Sequence, residues 1–488
     1  MVGAAPAARP GSQRAALWIF VFALAATAIE GAALHVNALH FAGFMLDFRA
    51  FYCAGAALDA GADPYRAEPL RSCEVAAYGA FPQGYPQVAV PAPLPGYAIA
   101  PFALLARLPY NVAAALWLLA SALAIAASAL LLAGLSRLPA PVVWAALLLP
   151  VALVSGFLGQ LVPFALLALA VCARAVEAEQ PRVAALAALG SLIEPHFGLP
   201  VCLGLALGMP RARLPLGALL AAAAALSIVL LGVERNLEYV RAVLPAHLAS
   251  EVGNEEQYSL THVLNLAGVP DWLALQLGSL SYAVAIVAGA LLALRLVRQG
   301  APRSLFVLLP AAFAPLGGSF VHLQQMAFVI PALLVLLGRV ALRNAWLGSA
   351  LLLLALPFGN FTFLFVTAPF ALATVAVLAR DQLRLTWLAT LSLAVAVLAA
   401  ICAMTAAFAP RPDVHAAVAA VSGAGLLAEA TWDALIRSSY HSNVALFTLS
   451  KVPTYAALAI FAIVTYRLAF AKRDDNAPVE PEGAPCVA

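Results

Sequence analysis

Long apolar runs broken by short polar turns organise the chain. Runs at 16–37, 110–135, 140–157, 160–177, 182–208, 213–232, 272–297, 304–317, 321–338, 345–357, 361–379, 384–409 and 444–470 are rich in Ala, Leu and Val. None alternates apolar with polar at a period of two, so they read as helices and not as barrel strands. Many reach the ~18 apolar residues that a hydrocarbon core requires. The pattern predicts an all-α polytopic membrane protein, a bundle of about 12–14 membrane-embedded helices by window length. Glu194-Pro195-His196 interrupts the 182–208 run, which is therefore one kinked helix or two short ones. A proline there frees a backbone carbonyl that needs a cavity or a neighbouring helix.

Composition supports this class. The 488 residues are 64% hydrophobic and only 10% charged, where a soluble domain carries about a quarter charged residues. A net charge of +3 is too small to suggest a nucleic-acid partner. The arginines lie mostly in short turns, which the positive-inside rule assigns to the cytoplasm. Arg9 and Arg14 flank the first run, which is too long for a signal-peptide core and reads as a signal anchor. The chain then divides into a cytoplasmic tail (1–15), a single polytopic domain (16–471) and a disordered cytoplasmic tail (472–488). Three long loops, 38–109, 233–271 and 410–443, fall on the outer side of the cell (inner) membrane.

The titratable chemistry gathers in those loops. His35, His40, His247, His262, His415 and His441 lie in or beside them, His322 in a short outer turn around 318–322, with Glu251, Glu255 and Glu256 on the same side. No phosphate loop, dinucleotide glycine fingerprint or zinc-protease helix is present, so a cytoplasmic nucleotide-dependent enzyme is excluded as the leading class. Cysteine spacing offers no metal site. Cys53 and Cys73 share the first loop, and form either a disulfide or two free thiols.

The stretch 46–65, LDFRAFYCAGAALDAGADPY, is the most informative. Asp47 is followed by Phe48, Phe51 and Tyr52, which sets a carboxylate beside an aromatic shelf. Partial desolvation there would raise its pKa toward that of a useful general base, while the plain alternative is a helix cap or a solvated loop acid. The following 81–97 segment is too rich in proline for a long regular helix, and 98–106 reads as an amphipathic or re-entrant element.

Asp47-Phe48, Tyr52, Ala54-Gly55, Gly61 and Asp63-Pro64-Tyr65 together resemble the first-loop signature of glycosyltransferase family 87. Gly159-Gln160 opening an apolar helix is similar to a second family segment, and Glu194-Pro195-His196-Phe197-Gly198-Leu199 to a third. Tyr258-Ser259 and Ser319 to His322 also look familiar, so the resemblance runs roughly from 15 to 345. It implies a GT-C-type bundle with a large first extracytoplasmic loop. It implies transfer of a hexose, mannose first, from a polyprenyl-phosphate donor to a glycan or glycolipid acceptor, with inversion. Asp47 would be the general base and His322 the group facing the leaving phosphate. Arg49, Tyr52, Tyr65, Gln160, Glu194, His196 and Tyr258 would contact substrate. Glu194 stands where the family carries lysine, so that lysine's phosphate contact is not carried over. Membrane lipids are the surrounding partners; no cofactor and no metal is implied, the lipid-linked donor being a substrate. The competing class is a membrane transporter or lipid flippase, which often shows inverted repeats and midplane charges; no convincing repeat relates the two halves.

Overall fold

The computed structural model of the protein describes residues 45–78, 88–147, 155–340, 344–354, 421, 425–438 and 451–471. The runs at 16–37, 361–379 and 384–409, both tails, and His35, His40, His415 and His441 lie outside the described residues. The fold is an all-α polytopic membrane protein. Five of the described helices are long and apolar enough to cross a membrane: Tyr110–Ser136, Pro210–Ser250, Asp271–Arg298, Leu323–Val340 and Val452–Phe470.

The first loop forms α1 (Leu46–Asp59), α2 (Ala67–Tyr78) and α3 (Gly96–Leu105). Helical phase decides where the α1 aromatics go. Phe48 and Phe51, three apart, share the inward face. Phe48 packs on Trp117 at 5.4 Å and Phe51 on Phe102 at 5.3 Å between ring centroids. The shelf expected beside Asp47 is therefore turned into the core, where it seats α1 against α3. Asp47 occupies the first turn of α1 and is only partly buried. A disulfide joins Cys53 to Cys73, with Cα atoms 5.6 Å apart, and so fastens α1 to α2.

The bundle continues with α4 (Tyr110–Ser136), α5 (Ala140–Leu147), α6 (Val162–Glu177), α7 (Pro181–Ser191) and α8 (Pro195–Gly208). The 182–208 run resolves into two short helices, broken over Leu192–Glu194. Pro195, at the start of α8, needs no intrahelical donor there. Next come α9 (Arg213–Glu238), α10 (Leu260–Leu266), α11 (Asp271–Arg298) and α12 (Leu305–Phe313). A 3₁₀ turn at Leu323–Phe328 leads into α13 (Ile330–Val335), followed by α14 (Ala345–Leu354), α15 (Ala428–Ser438) and α16 (Val452–Phe470).

The second loop differs from its sequence reading. Residues 233–250 are helical rather than loop, because α9 runs on through a π turn at Tyr239–Val243 into Leu244–Ser250. The end of the apolar run is marked instead by Gly232, at φ 76 and ψ 167. That backbone region is essentially open to glycine alone. The Asn236 amide donates to the carbonyls of Ser227 (2.9 Å) and Gly232 (2.6 Å), satisfying groups that the break releases. From Arg213 to the break the helix is about 28 Å long, close to a hydrocarbon core.

The core sits around Leu323–Val340, whose residues are almost all buried against α4, α6, α12 and α14. The outer faces carry Leu123, Leu130, Val229, Leu280 and Leu291, all exposed. Such a surface suits lipid and would be a liability in water.

Candidate active site

Polar side chains from distant parts of the chain converge at one end of α1. The first pair is Asp47 and Gln160. Gln160 lies in the turn before α6, and its Nε2 donates to Asp47 Oδ2. Gly159 makes this possible. It holds a left-handed φ of 73°, and its carbonyl accepts from Trp117 Nε1 at 3.0 Å. A Cβ at Gly159 would lie 2.5 Å from the Phe48 Cβ, so the turn passes directly beneath α1. Gly159→Ala should therefore destabilise the protein by about 1–3 kcal/mol. The measurement is thermal unfolding of the detergent-solubilised protein, and an unchanged melting temperature would count against this tight crossing.

The second group is built around Glu251, just past the end of the α9 rod. Its carboxylate is buried and accepts three hydrogen bonds: from Trp432 Nε1 at 2.7 Å, Asn254 Nδ2 at 2.6 Å and Gln257 Nε2 at 2.9 Å. Its Oε2 lies 3.5 Å from His322 Nε2. Gln257 is fixed in turn, because its Oε1 accepts from the Val321 N–H at 2.7 Å. Its NH₂ thus faces both Glu251 and His322 Nε2, the latter at 3.0 Å. The amide favours an unprotonated Nε2 and the carboxylate a protonated one; the full charge outweighs the dipole.

The third group brackets the break between α7 and α8. Glu194 Oε2 is 3.7 Å from His196 Nδ1, and Gln325 Nε2 meets His196 Nε2 at 2.7 Å. Gln325 also accepts from the His322 N–H at 2.8 Å. Phe320 links the groups: its ring lies 5.6 Å from that of His196, 5.0 Å from His247 and 4.8 Å from His322.

The electrostatics follow from this crowding. Burial pushes Asp47 up to about 7, offset in part by His322 and the Gln160 amide and reinforced by Glu256 and Glu251. Burial would lower His322, but Glu251, Glu256 and Asp47 together hold it above the ordinary imidazole value. Glu251 is itself held well below the usual carboxylate range, since His322, His247 and Gln257 outweigh its burial. The arrangement offers a carboxylate poised to take a proton near neutrality, beside an imidazole that holds its proton more tightly than usual.

The residues singled out from sequence separate into two sets. Asp47, Gln160, Glu194, His196 and His322 come together. Arg49 is fully buried on the other side of α1, where its charge acts on Glu74. Tyr52 donates to the Leu108 carbonyl at 2.8 Å, and Tyr65 to that of Leu94 at 2.8 Å while stacking on Tyr239. Tyr258 is buried, and its N–H donates to the Val321 carbonyl at 2.6 Å, pairing the two strands of backbone that carry Gln257 and His322. His247, Glu251, Gln257, Phe320 and Trp432 were not singled out as site residues. Among the described residues, no three His, Cys, Asp or Glu side chains are placed to hold one metal ion.

The profile of glycosyltransferase family 87 matches residues 94–318. Gln160, Glu194, His196, His247, Glu251 and Gln257 lie inside that stretch; Asp47 and His322 lie outside it. No curated protein and no solved structure matches the chain.

Proposed function

We propose, from the premise that the chain is a membrane glycosyltransferase resembling family 87, that it moves a hexose from a polyprenyl-phosphate donor to an extracytoplasmic acceptor with inversion. Mannose is the hexose the resemblance favours. The observation that carries this reading is the meeting of Asp47, tuned to about 7, with His322, whose hold on its proton Glu251 strengthens. One group can accept a proton and the other can face an anion.

In this reaction an acceptor hydroxyl attacks the anomeric carbon from the face opposite the phosphate. The new C–O bond forms as the bond from that carbon to the phosphate oxygen breaks. Asp47 takes the hydroxyl proton. The lipid phosphate leaves with the bonding electron pair, and His322 balances its growing charge. Gln160 keeps the Asp47 carboxylate aimed, and His196 with Glu194 lines the same cluster. The apolar faces of the bundle suit a prenyl chain lying in the bilayer, whose binding would help to orient the reacting carbon. On this reading the first loop, the 233–271 segment and the 410–443 segment lie on the extracytoplasmic side of the inner membrane and the termini in the cytoplasm.

The test uses purified protein in liposomes, with short-chain polyprenyl phosphate carrying a radiolabelled hexose and a membrane glycolipid extract as acceptor. Labelled product of inverted anomeric configuration is expected. Movement of the intact donor across the bilayer with no glycosidic product would favour the flippase reading instead.

A further inference from the structure

The family match ends at residue 318, yet the site is held partly from beyond it. Helix α15 is anchored at its start to the first loop: the Ala67 N–H donates to Leu426 O at 2.8 Å and the Ala428 N–H to Tyr65 O at 3.0 Å. The Ala89 N–H adds a bond to Thr431 Oγ1 at 3.0 Å. At its far end Arg437 pairs with Asp271 of α11 at 3.3 Å. From this doubly anchored helix, Trp432 donates its Nε1–H to Glu251 Oε1.

We propose that Trp432 is a positioning residue for the Glu251–His322 pair, its indole N–H fixing the carboxylate so that Oε2 stays turned toward the imidazole. This rests on the reading of His322 as the partner of the leaving phosphate. The physical argument concerns rotation. The terminal torsion of a glutamate is broad and nearly two-fold, so packing alone does not fix it. A donor on Oε1 fixes Oε2 as well. Asn254 and Gln257 grip Oε2 from the adjoining turn. That turn is itself held from the C-terminal region, since buried Lys451 donates to the Gln257 carbonyl at 2.7 Å and also to that of Glu255. Removing the indole N–H leaves a buried carboxylate oxygen without that donor. Glu251 is then free to rotate, and turning Oε2 away from the imidazole loosens its hold on the His322 proton.

His322 is faced by Glu251, Glu256, Asp47 and Glu194, with His196 and His247 close by. Of these, Trp432 touches Glu251, so its effect on His322 should pass through that residue. The experiment follows carbethoxylation of His322 by diethyl pyrocarbonate across pH, read by peptide mass spectrometry on the full-length protein in liposomes. Native protein is compared with Trp432→Phe, and with β-(3-benzothienyl)alanine at 432, which keeps the bicyclic shape and replaces N–H by sulfur. The His322 midpoint should fall by about 0.5–1 pH unit in both. In a Glu251→Gln background the same changes at 432 should move it no further. An unmoved midpoint in the benzothienyl protein overturns the proposal, even if Trp432→Phe fails to fold. The readout needs no sugar donor. Absence of transfer by native protein would overturn the functional reading, while the midpoint judges the role of Trp432 separately.

Discussion

Asp47→Asn should lower the turnover of sugar transfer by about 10²–10⁴-fold, the usual range for loss of a positioned general base. The substitution suits the site because it changes little else. Asparagine has the same shape, and its carbonyl oxygen can still accept from Gln160 Nε2, the contact that holds Asp47 now. The inward face of α1, with Phe48 and Phe51, is untouched. What disappears is a group able to hold the acceptor's proton near neutral pH. Donor KM should change little, since the lost interaction belongs to the transition state. The measurement is steady-state transfer at equal protein in liposomes, with melting temperature as the folding control. Equal turnover in native and mutant protein would remove Asp47 from the chemistry.

Much of the membrane architecture was legible in the apolar runs. The run at 110–135 is α4, Tyr110–Ser136, and 272–297 is α11, Asp271–Arg298. These helices expose apolar side chains along much of their length, so their composition reports directly on their place. The helix over 233–250 was not legible in this way. Arg235, Asn236, Glu238 and Arg241 interrupt its hydropathy, and tertiary contacts hold it: Arg66 with Glu238, and Arg235 Nη1 with the Ala62 carbonyl at 3.2 Å. Hydropathy detects a bilayer, and a helix packed on the first-loop helices leaves no such trace.

The site was legible in parts and not in its pairings. Asp47 and Gln160 each stood in a recognisable segment, but 113 residues separate them, and no periodicity connects the two. Glu251, Gln257 and Trp432 looked like ordinary loop residues, because a loop acid or amide is common and only geometry makes one a partner of His322. The orientation of the aromatics beside Asp47 was within reach. Phe48 and Phe51, three apart in a helix starting at Leu46, fall on one helical face, the face that packs inward.

Glu251→Gln should have the second-largest effect, and its signature lies in the pH profile. On the proposed mechanism, transfer in native protein needs Asp47 ionised and His322 protonated. The rate should therefore rise with pH through about 7 as Asp47 loses its proton. It should fall again at higher pH as His322, held above its ordinary value, loses its own. The two groups interact, so the limbs belong to the pair and not to either residue alone. Replacing Glu251 by glutamine keeps a side chain of similar size but removes the charge 3.5 Å from His322 Nε2. Burial then acts on His322 with less opposition, and its proton leaves at lower pH. Loss of the imidazolium in turn weakens the main force that lowers Asp47, which outweighs the smaller relief from losing the Glu251 charge, so the base limb moves up. The two limbs approach, and the fraction of enzyme in the active form falls. Turnover near neutrality should drop by about 10²–10³-fold, comparable to removing a donor from a developing anion. A rate profile between about pH 5.5 and 9 tests this, because a general base and its acid partner should both titrate inside that window. A mutant profile of native width and position, merely scaled down, would show that Glu251 serves the fold and not the proton on His322.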